Sequence, residues 1–105
     1  MVKEFSKSLL SEEIKKNSVI VLDFYAIWCG PCRTFSQVFE LVSEELKDVA
    51  IFGKINIDEQ RDLAVQYKVS SIPNIIIIKN GDLIWTHIGM IEEAALQAKI
   101  KSIIK

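Results

Sequence analysis

The stretch Val19-Ile-Val-Leu-Asp-Phe-Tyr-Ala-Ile-Trp-Cys-Gly-Pro-Cys32 decides the reading of this chain. Its first part, Val19–Tyr25, is a near-continuous apolar run of the kind shown by a strand buried on both faces. Its last part opens a segment in which Phe35, Val38, Phe39, Val42 and Leu46 recur at helical spacing, predicting a helix from Pro31 to Lys47. Pro31 suits the first turn of that helix, where its missing N–H would have no partner. A dithiol, Cys29 and Cys32, therefore stands between the end of a strand and the start of a helix. Unpaired N–H groups and partial positive charge at a helix start favour a thiolate over a thiol. The thiolate is the species that attacks disulfides, so these residues suit thiol–disulfide exchange.

Other uses of two cysteines at this spacing fit less well. A structural zinc site takes four protein ligands, and the chain offers two cysteines and one histidine, His87. Covalent haem attachment needs a histidine after the second cysteine, where Arg33 stands. A purely structural disulfide across so short a loop would stabilise little.

Length and composition bound the rest. A chain of 105 residues is expected to be one domain, 1–105, with a core large enough to fold without staples. Thirteen basic and 14 acidic residues leave a net charge of −1, with no basic stripe for nucleic acid. The start, Met1 to Lys7, lacks an apolar signal-peptide core, and no apolar run approaches the roughly 20 residues of a membrane span. A cytoplasmic monomer is expected, with neither nucleic acid nor membrane as partner. In a reducing compartment two cysteines more often do chemistry than hold structure.

Residues 2–5 can form a short edge strand, and Ser8–Lys16 a helix with Leu9, Leu10 and Ile14 inward. Val49–Ile57 reads as a second strand. A short helix is predicted from Asp58 or Glu59 to about Tyr67. Ile75–Lys79 and Leu83–Ile88 flank Asn80-Gly81-Asp82, a hairpin signal because Asn-Gly accepts positive φ. Glu92–Lys105 is a last helix with Leu96, Ile100 and Ile103 inward. Strands joined by helices should be parallel and the hairpin antiparallel, giving a mixed central sheet with helices on both faces.

The motifs in this order resemble the thioredoxin family. The resemblance covers nearly the whole chain, from about Val19 onward. It rests on Val21-Leu-Asp-Phe-Tyr-Ala-Ile-Trp-Cys-Gly-Pro-Cys32, on Lys54-Ile-Asn-Ile-Asp58, on Ser71-Ile-Pro-Asn74, and on Lys79-Asn-Gly-Asp82 with Ile88-Gly89. It implies the α/β thioredoxin fold, a central mixed β-sheet of four or five strands flanked by four helices. It implies a protein-disulfide reductase in which Cys29 attacks, Cys32 resolves, and Gly30 and Pro31 tune the redox pair. Partners would be an NADPH-dependent thioredoxin reductase and disulfide-containing protein substrates such as peroxidases and reductases. The chain has no dinucleotide fingerprint, so no cofactor is expected, and no metal.

The resemblance also gives roles to residues beyond the dithiol. Asp23, between Leu22 and Phe24, is a carboxylate in a poor place for a charge, and an edge or solvent-facing position is the plain alternative. The family places it behind the dithiol, where desolvation would raise its pKa and let it take a proton from Cys32. Lys54 is its family partner, although alone it reads as a surface lysine. Pro73 is an ordinary strand entry by its context. In the family this peptide is cis, faces the dithiol, and forms a substrate rim corresponding here to Trp28, Ile72, Pro73, Gly89 and Met90. His87 is expected on the strand surface, and Trp85 covers the sheet.

This chain departs from the family pattern at five positions. Gln37 stands in place of a kinking proline, so the second helix should run unbroken. Tyr25 replaces a tryptophan, Asn74 a threonine, Ser71 a glycine, and Ile27 an acidic or polar residue. Three other roles fit the same residues: a dedicated electron donor to one partner, an oxidase or isomerase of the same fold, and a binding module with an idle dithiol. Gly-Pro between the cysteines resembles the reducing members.

Overall fold

The computed structural model describes residues 2–104. Met1 and Lys105, the ends of the expected domain and of its last helix, lie outside the described residues. In chain order the elements are β1 (Val2–Glu4), α1 (Lys7–Lys16), β2 (Val19–Tyr25), α2 (Gly30–Glu45), β3 (Ile51–Asn56), α3 (Arg61–Gln66), β4 (Asn74–Lys79), β5 (Asp82–Ile88) and α4 (Glu93–Ile104). Among the described residues the strands form one five-stranded sheet in the order β1-β3-β2-β4-β5. β1, β3 and β2 run parallel, β4 is antiparallel to β2, and edge strand β5 is antiparallel to β4.

β2 occupies the centre because both of its faces are apolar. Alternate residues of a strand point to opposite faces. Val19 and Val21 join Phe52, Ile75 and Ile77 against Phe35, Phe39 and Val42 of α2 and Leu96 and Ile100 of α4. Ile20, Leu22 and Phe24 join Ile55, Ile76 and Ile78 against Leu10 of α1 and Leu63 of α3. Two helices thus cover each face. α2 is continuous across Gln37, as expected for a residue that keeps its backbone N–H.

Several boundaries differ from the sequence expectation, each for a local reason. α1 starts one residue early because the Ser6 side chain caps it, accepting the Leu9 N–H at 3.2 Å. α2 ends at Glu45 rather than Lys47. The N–H groups of Val49 and Ala50 turn back to the Leu46 carbonyl, which also delays β3 to Ile51. α3 starts at Arg61, because Asn56 Oδ1 accepts from the N–H groups of Asp58 and Glu59 and holds them in a turn. The hairpin turns at Asn80 and Gly81, with φ of 53° and 87°, the double positive φ of a type I′ turn. A bulge follows, since Ile77 faces Trp85 while Ile78 faces Leu83, leaving Ile84 extra on edge strand β5.

Candidate active site

The chain leaves β2 at Tyr25 and turns through Ala26 and Trp28 into α2. The Cys29 N–H closes this turn on the Ala26 carbonyl at 3.2 Å. Cys29 is the N-cap of α2, and its sulfur accepts the Cys32 N–H at 3.2 Å. Helix N-caps are normally oxygen-bearing residues; here sulfur fills that place, where a negative charge is stabilised by the helix dipole. Cys29 and Cys32 are joined as a disulfide, with their Cα atoms 5.2 Å apart. Both are buried, Cys29 at 6% exposure and Cys32 at 2%, so the expected difference in depth is small. Ala26 is buried with them, and Tyr25, Ile57 and Ile72 pack around the three.

Ile72 brings the neighbouring loop to this cluster. The Ile72-Pro73 peptide is cis. The Pro73 carbonyl accepts the Gly89 N–H at 2.8 Å, tying the end of β5 to the start of β4. Gly89 has φ of 92°, a conformation that favours glycine and turns the chain toward Met90. His87, expected as a plain surface residue, is half-buried: its ring stacks on Trp85 and its Nε2 lies 3.2 Å from the Met90 carbonyl. Trp85 is half-buried against the core of the α2 and α4 face. In the loop that leads into the dithiol, Trp28 is 65% exposed and Ile27 71% exposed. The Trp28 indole donates to Asp58 Oδ2 at 2.7 Å, which fixes this exposed ring. Arg33 Nη1 donates to the Ile27 carbonyl at 2.8 Å and clamps the same loop from α2.

Asp23 lies on the β2 face that α2 covers, and is 2% exposed. It lines a cleft of about 210 Å³ together with Cys32, Ala26, Ile27, Arg33, Ser36, Tyr25 and Lys54. Its Oδ1 has no hydrogen-bond partner among the described residues. Burial pushes its carboxyl from 3.8 up to about 8, against a smaller downward pull from the Lys54 ammonium. Lys54 is the cross-strand neighbour of Asp23 in β3. It is half-exposed, lies 3.9 Å from Glu4 Oε1, and sits 5.5 Å from the centre of the Tyr25 ring.

A family model described as thioredoxin matches residues 1–102. The chain belongs to the thioredoxin family. It is 35% identical over 97 residues to thioredoxin of Bacillus subtilis, which covers 92% of this chain and 91% of that protein. It is 34% identical over 91 residues to the mitochondrial thioredoxin of Mus musculus, covering 87% of this chain but 55% of that protein. The chain thus spans about half the length of its mammalian mitochondrial relatives. A solved mutant thioredoxin from Halobacterium salinarum superimposes with a TM-score of 0.91 at 31% identity, covering 98% of this chain and 90% of that one. The five-stranded mixed sheet with four helices is the thioredoxin fold.

The structure gathers Cys29, Cys32, Asp23, Lys54 and Ile72 at one end of the sheet, with Pro73 and Gly89 beside them. Sequence reading missed Asp58, Arg33 and Glu4. Each reaches the site through a contact between segments, and Asp58 and Glu4 lie 30 and 21 residues from their partners Trp28 and Tyr25. The one local signal was the i, i+6 placement of Arg33 after Ile27 across a helix start.

Proposed function

We propose that this thioredoxin-family chain is a protein-disulfide reductase working by dithiol–disulfide exchange. The observation that carries the reading is the Cys29 sulfur at the N-cap of α2, accepting the Cys32 N–H. In the reduced protein the same position stabilises a Cys29 thiolate. That thiolate attacks one sulfur of a substrate disulfide. A Cys29–substrate bond forms, the substrate S–S bond breaks, and the first substrate thiolate leaves. Asp23 then takes the proton of Cys32, and the new thiolate attacks the Cys29 sulfur. The intramolecular disulfide forms and the second substrate thiolate leaves, so two electrons pass from chain to substrate. A carboxyl that burial raises to about 8 is a stronger base toward a thiol than an ordinary carboxylate.

Ile72, Pro73, Gly89, Met90 and Trp28 act as the substrate rim in this reading, with Gly30 and Pro31 shaping the redox pair. An NADPH-dependent thioredoxin reductase would return the disulfide to the dithiol. Such recycling suits a reducing compartment, and we place the protein in the cytoplasm as a single-domain monomer. The test is reduction of insulin by the full chain with dithiothreitol, then with NADPH and a thioredoxin reductase. Precipitation of the insulin B chain at a rate proportional to protein is expected. A chain that binds insulin but leaves its disulfides intact would overturn the reading. A narrower role, donation to one dedicated partner, is favoured by the exposed apolar pair Ile27 and Trp28. It predicts slow reduction of insulin and fast reduction of that partner.

A further inference from the structure

The sheet register sets one residue from each strand in a single row on the face covered by α2 and α4. The row is Glu4, Lys54, Asp23, Ile75 and His87. Neighbouring strands lie about 4.8 Å apart, so Lys54 stands directly between two carboxylates. They differ in depth: the Glu4 side chain is 45% exposed and Asp23 is 2% exposed. The ammonium lies on the Glu4 side, 3.9 Å from Glu4 Oε1 and over the Tyr25 ring. That Oε1 is itself held by the Tyr25 hydroxyl, which donates to it at 2.8 Å. On the other side Asp23 Oδ1 has no hydrogen-bond partner among the described residues. Two carboxylates compete for one ammonium, and the exposed one holds it.

We propose that Glu4 is a positioning residue for the step that releases substrate: it withholds the Lys54 ammonium from Asp23 and so leaves Asp23 the proton acceptor behind Cys32. The inference rests on the role proposed above for Asp23. A buried carboxylate without a partner is poorly solvated and attracts any cation within reach. Without the Glu4 charge, Asp23 is the one carboxylate left beside Lys54 in the row, and the ammonium shifts toward it. The direct repulsion between the two carboxylates is lost as well. Both changes favour the charged form of Asp23 and make it a weaker base. The other groups facing Asp23 are Cys32 and Arg33 from α2, Tyr25 from its own strand, whose hydroxyl is bonded to Glu4, and Ile75, which does not titrate, from β4. The Glu4–Lys54 pair is half-exposed, so its pull is partly screened and the effect is moderate.

The test uses the full-length protein and Glu4→Gln, whose amide oxygen can still accept the Tyr25 hydroxyl. The Asp23 carboxyl is followed by 13C NMR titration of the oxidised protein, and release of substrate from the Cys29 mixed disulfide by stopped flow across pH. The Asp23 midpoint is expected to fall by about half a pH unit at low salt and by less in 0.5 M NaCl. In a Lys54→Gln background the shift should shrink to less than half, because the cation that transmits it is gone. An unchanged or raised midpoint, or a full shift in that background, would overturn the role of Glu4. A lowered midpoint with an unmoved release profile would instead overturn the role of Asp23 and leave the hold of Glu4 on Lys54 standing.

Discussion

The two faces of β2 make different uses of the same strand. Toward α1 and α3 it presents Ile20, Leu22 and Phe24, all buried among apolar side chains. Toward α2 and α4 it presents Val19 and Val21 and then Asp23, a buried carboxyl beside the dithiol. The first face gains free energy from every residue. The second gives some of that up at one position, at the strand end nearest Cys32. Burial of apolar side chains therefore stabilises the scaffold on one side, while burial of a carboxyl on the other adjusts a proton affinity. The same loss of solvent produces both effects.

The comparison breaks first at the dithiol. Cys29→Ser should lower insulin reduction by at least about a thousandfold, since a serine hydroxyl at this helix start is no substitute for a thiolate. Cys32→Ser should still attack and remain trapped, visible by mass spectrometry as a stable Cys29–substrate disulfide. Trapping by Cys29→Ser instead would reverse the two roles.

On the apolar face the expected effect is large in stability and absent in chemistry. Leu22→Ala should cost about 2–5 kcal/mol in denaturant melts, from lost burial and the cavity left behind. Insulin reduction per folded molecule should stay within twofold of the parent. A fall in both would mean that the two faces are coupled.

Asp23→Asn sharpens the comparison through pH. The folded carboxyl lies at about 8 and its ordinary value is 3.8. Between these values the native state holds a proton that the unfolded state has lost. Stability from this group is therefore full below about pH 4, is lost as pH rises toward 8, and stays low above it. The oxidised parent should be less stable at pH 8 than at pH 5, by an amount on the order of a few kcal/mol. Asp23→Asn should remove that slope and be the more stable protein at pH 8. It should also slow release of substrate by Cys32 more than attack by Cys29. A variant with the parent's pH slope and release rate would make Asp23 an ordinary structural carboxyl.

The smallest effect is expected at the rim. Asp58→Asn weakens the bond that fixes the Trp28 indole, an exposed contact worth about 1 kcal/mol. The KM for insulin should rise by no more than about fivefold, with kcat unchanged. An effect on kcat would place Trp28 in the reacting geometry as well as in binding.

Much of this fold was legible in the chain. The Val19–Tyr25 run, the helical spacing from Phe35 to Leu46, and Asn80-Gly81 each point to the element observed, because each depends on neighbours close along the sequence. Two boundaries moved where a single side chain outside the periodic pattern took a backbone partner, Ser6 before α1 and Asn56 before α3, and those between α2 and β3 moved where backbone N–H groups turned back on the Leu46 carbonyl. The site was half legible. Cys29 and Cys32 could be placed from their spacing and from the helix start that follows. Asp23 and Lys54 acquired roles from resemblance to thioredoxins, since neither periodicity nor composition says how deep a strand carboxylate lies.

The sequence by itself determined the elements, their order, the burial of β2 on both faces and the dithiol at a helix N-terminus. These follow from alternation, helical periodicity, turn chemistry and proline placement, all short-range properties. Tertiary structure alone decided that Glu4, Lys54 and Asp23 share one row, that the ammonium lies toward the exposed carboxylate, and that Asp58 holds the Trp28 ring. Those facts depend on register between strands and on which side chains lose water when distant segments meet. Electrostatic energies vary with depth and with distances of a few ångströms, and no local pattern in a chain encodes either.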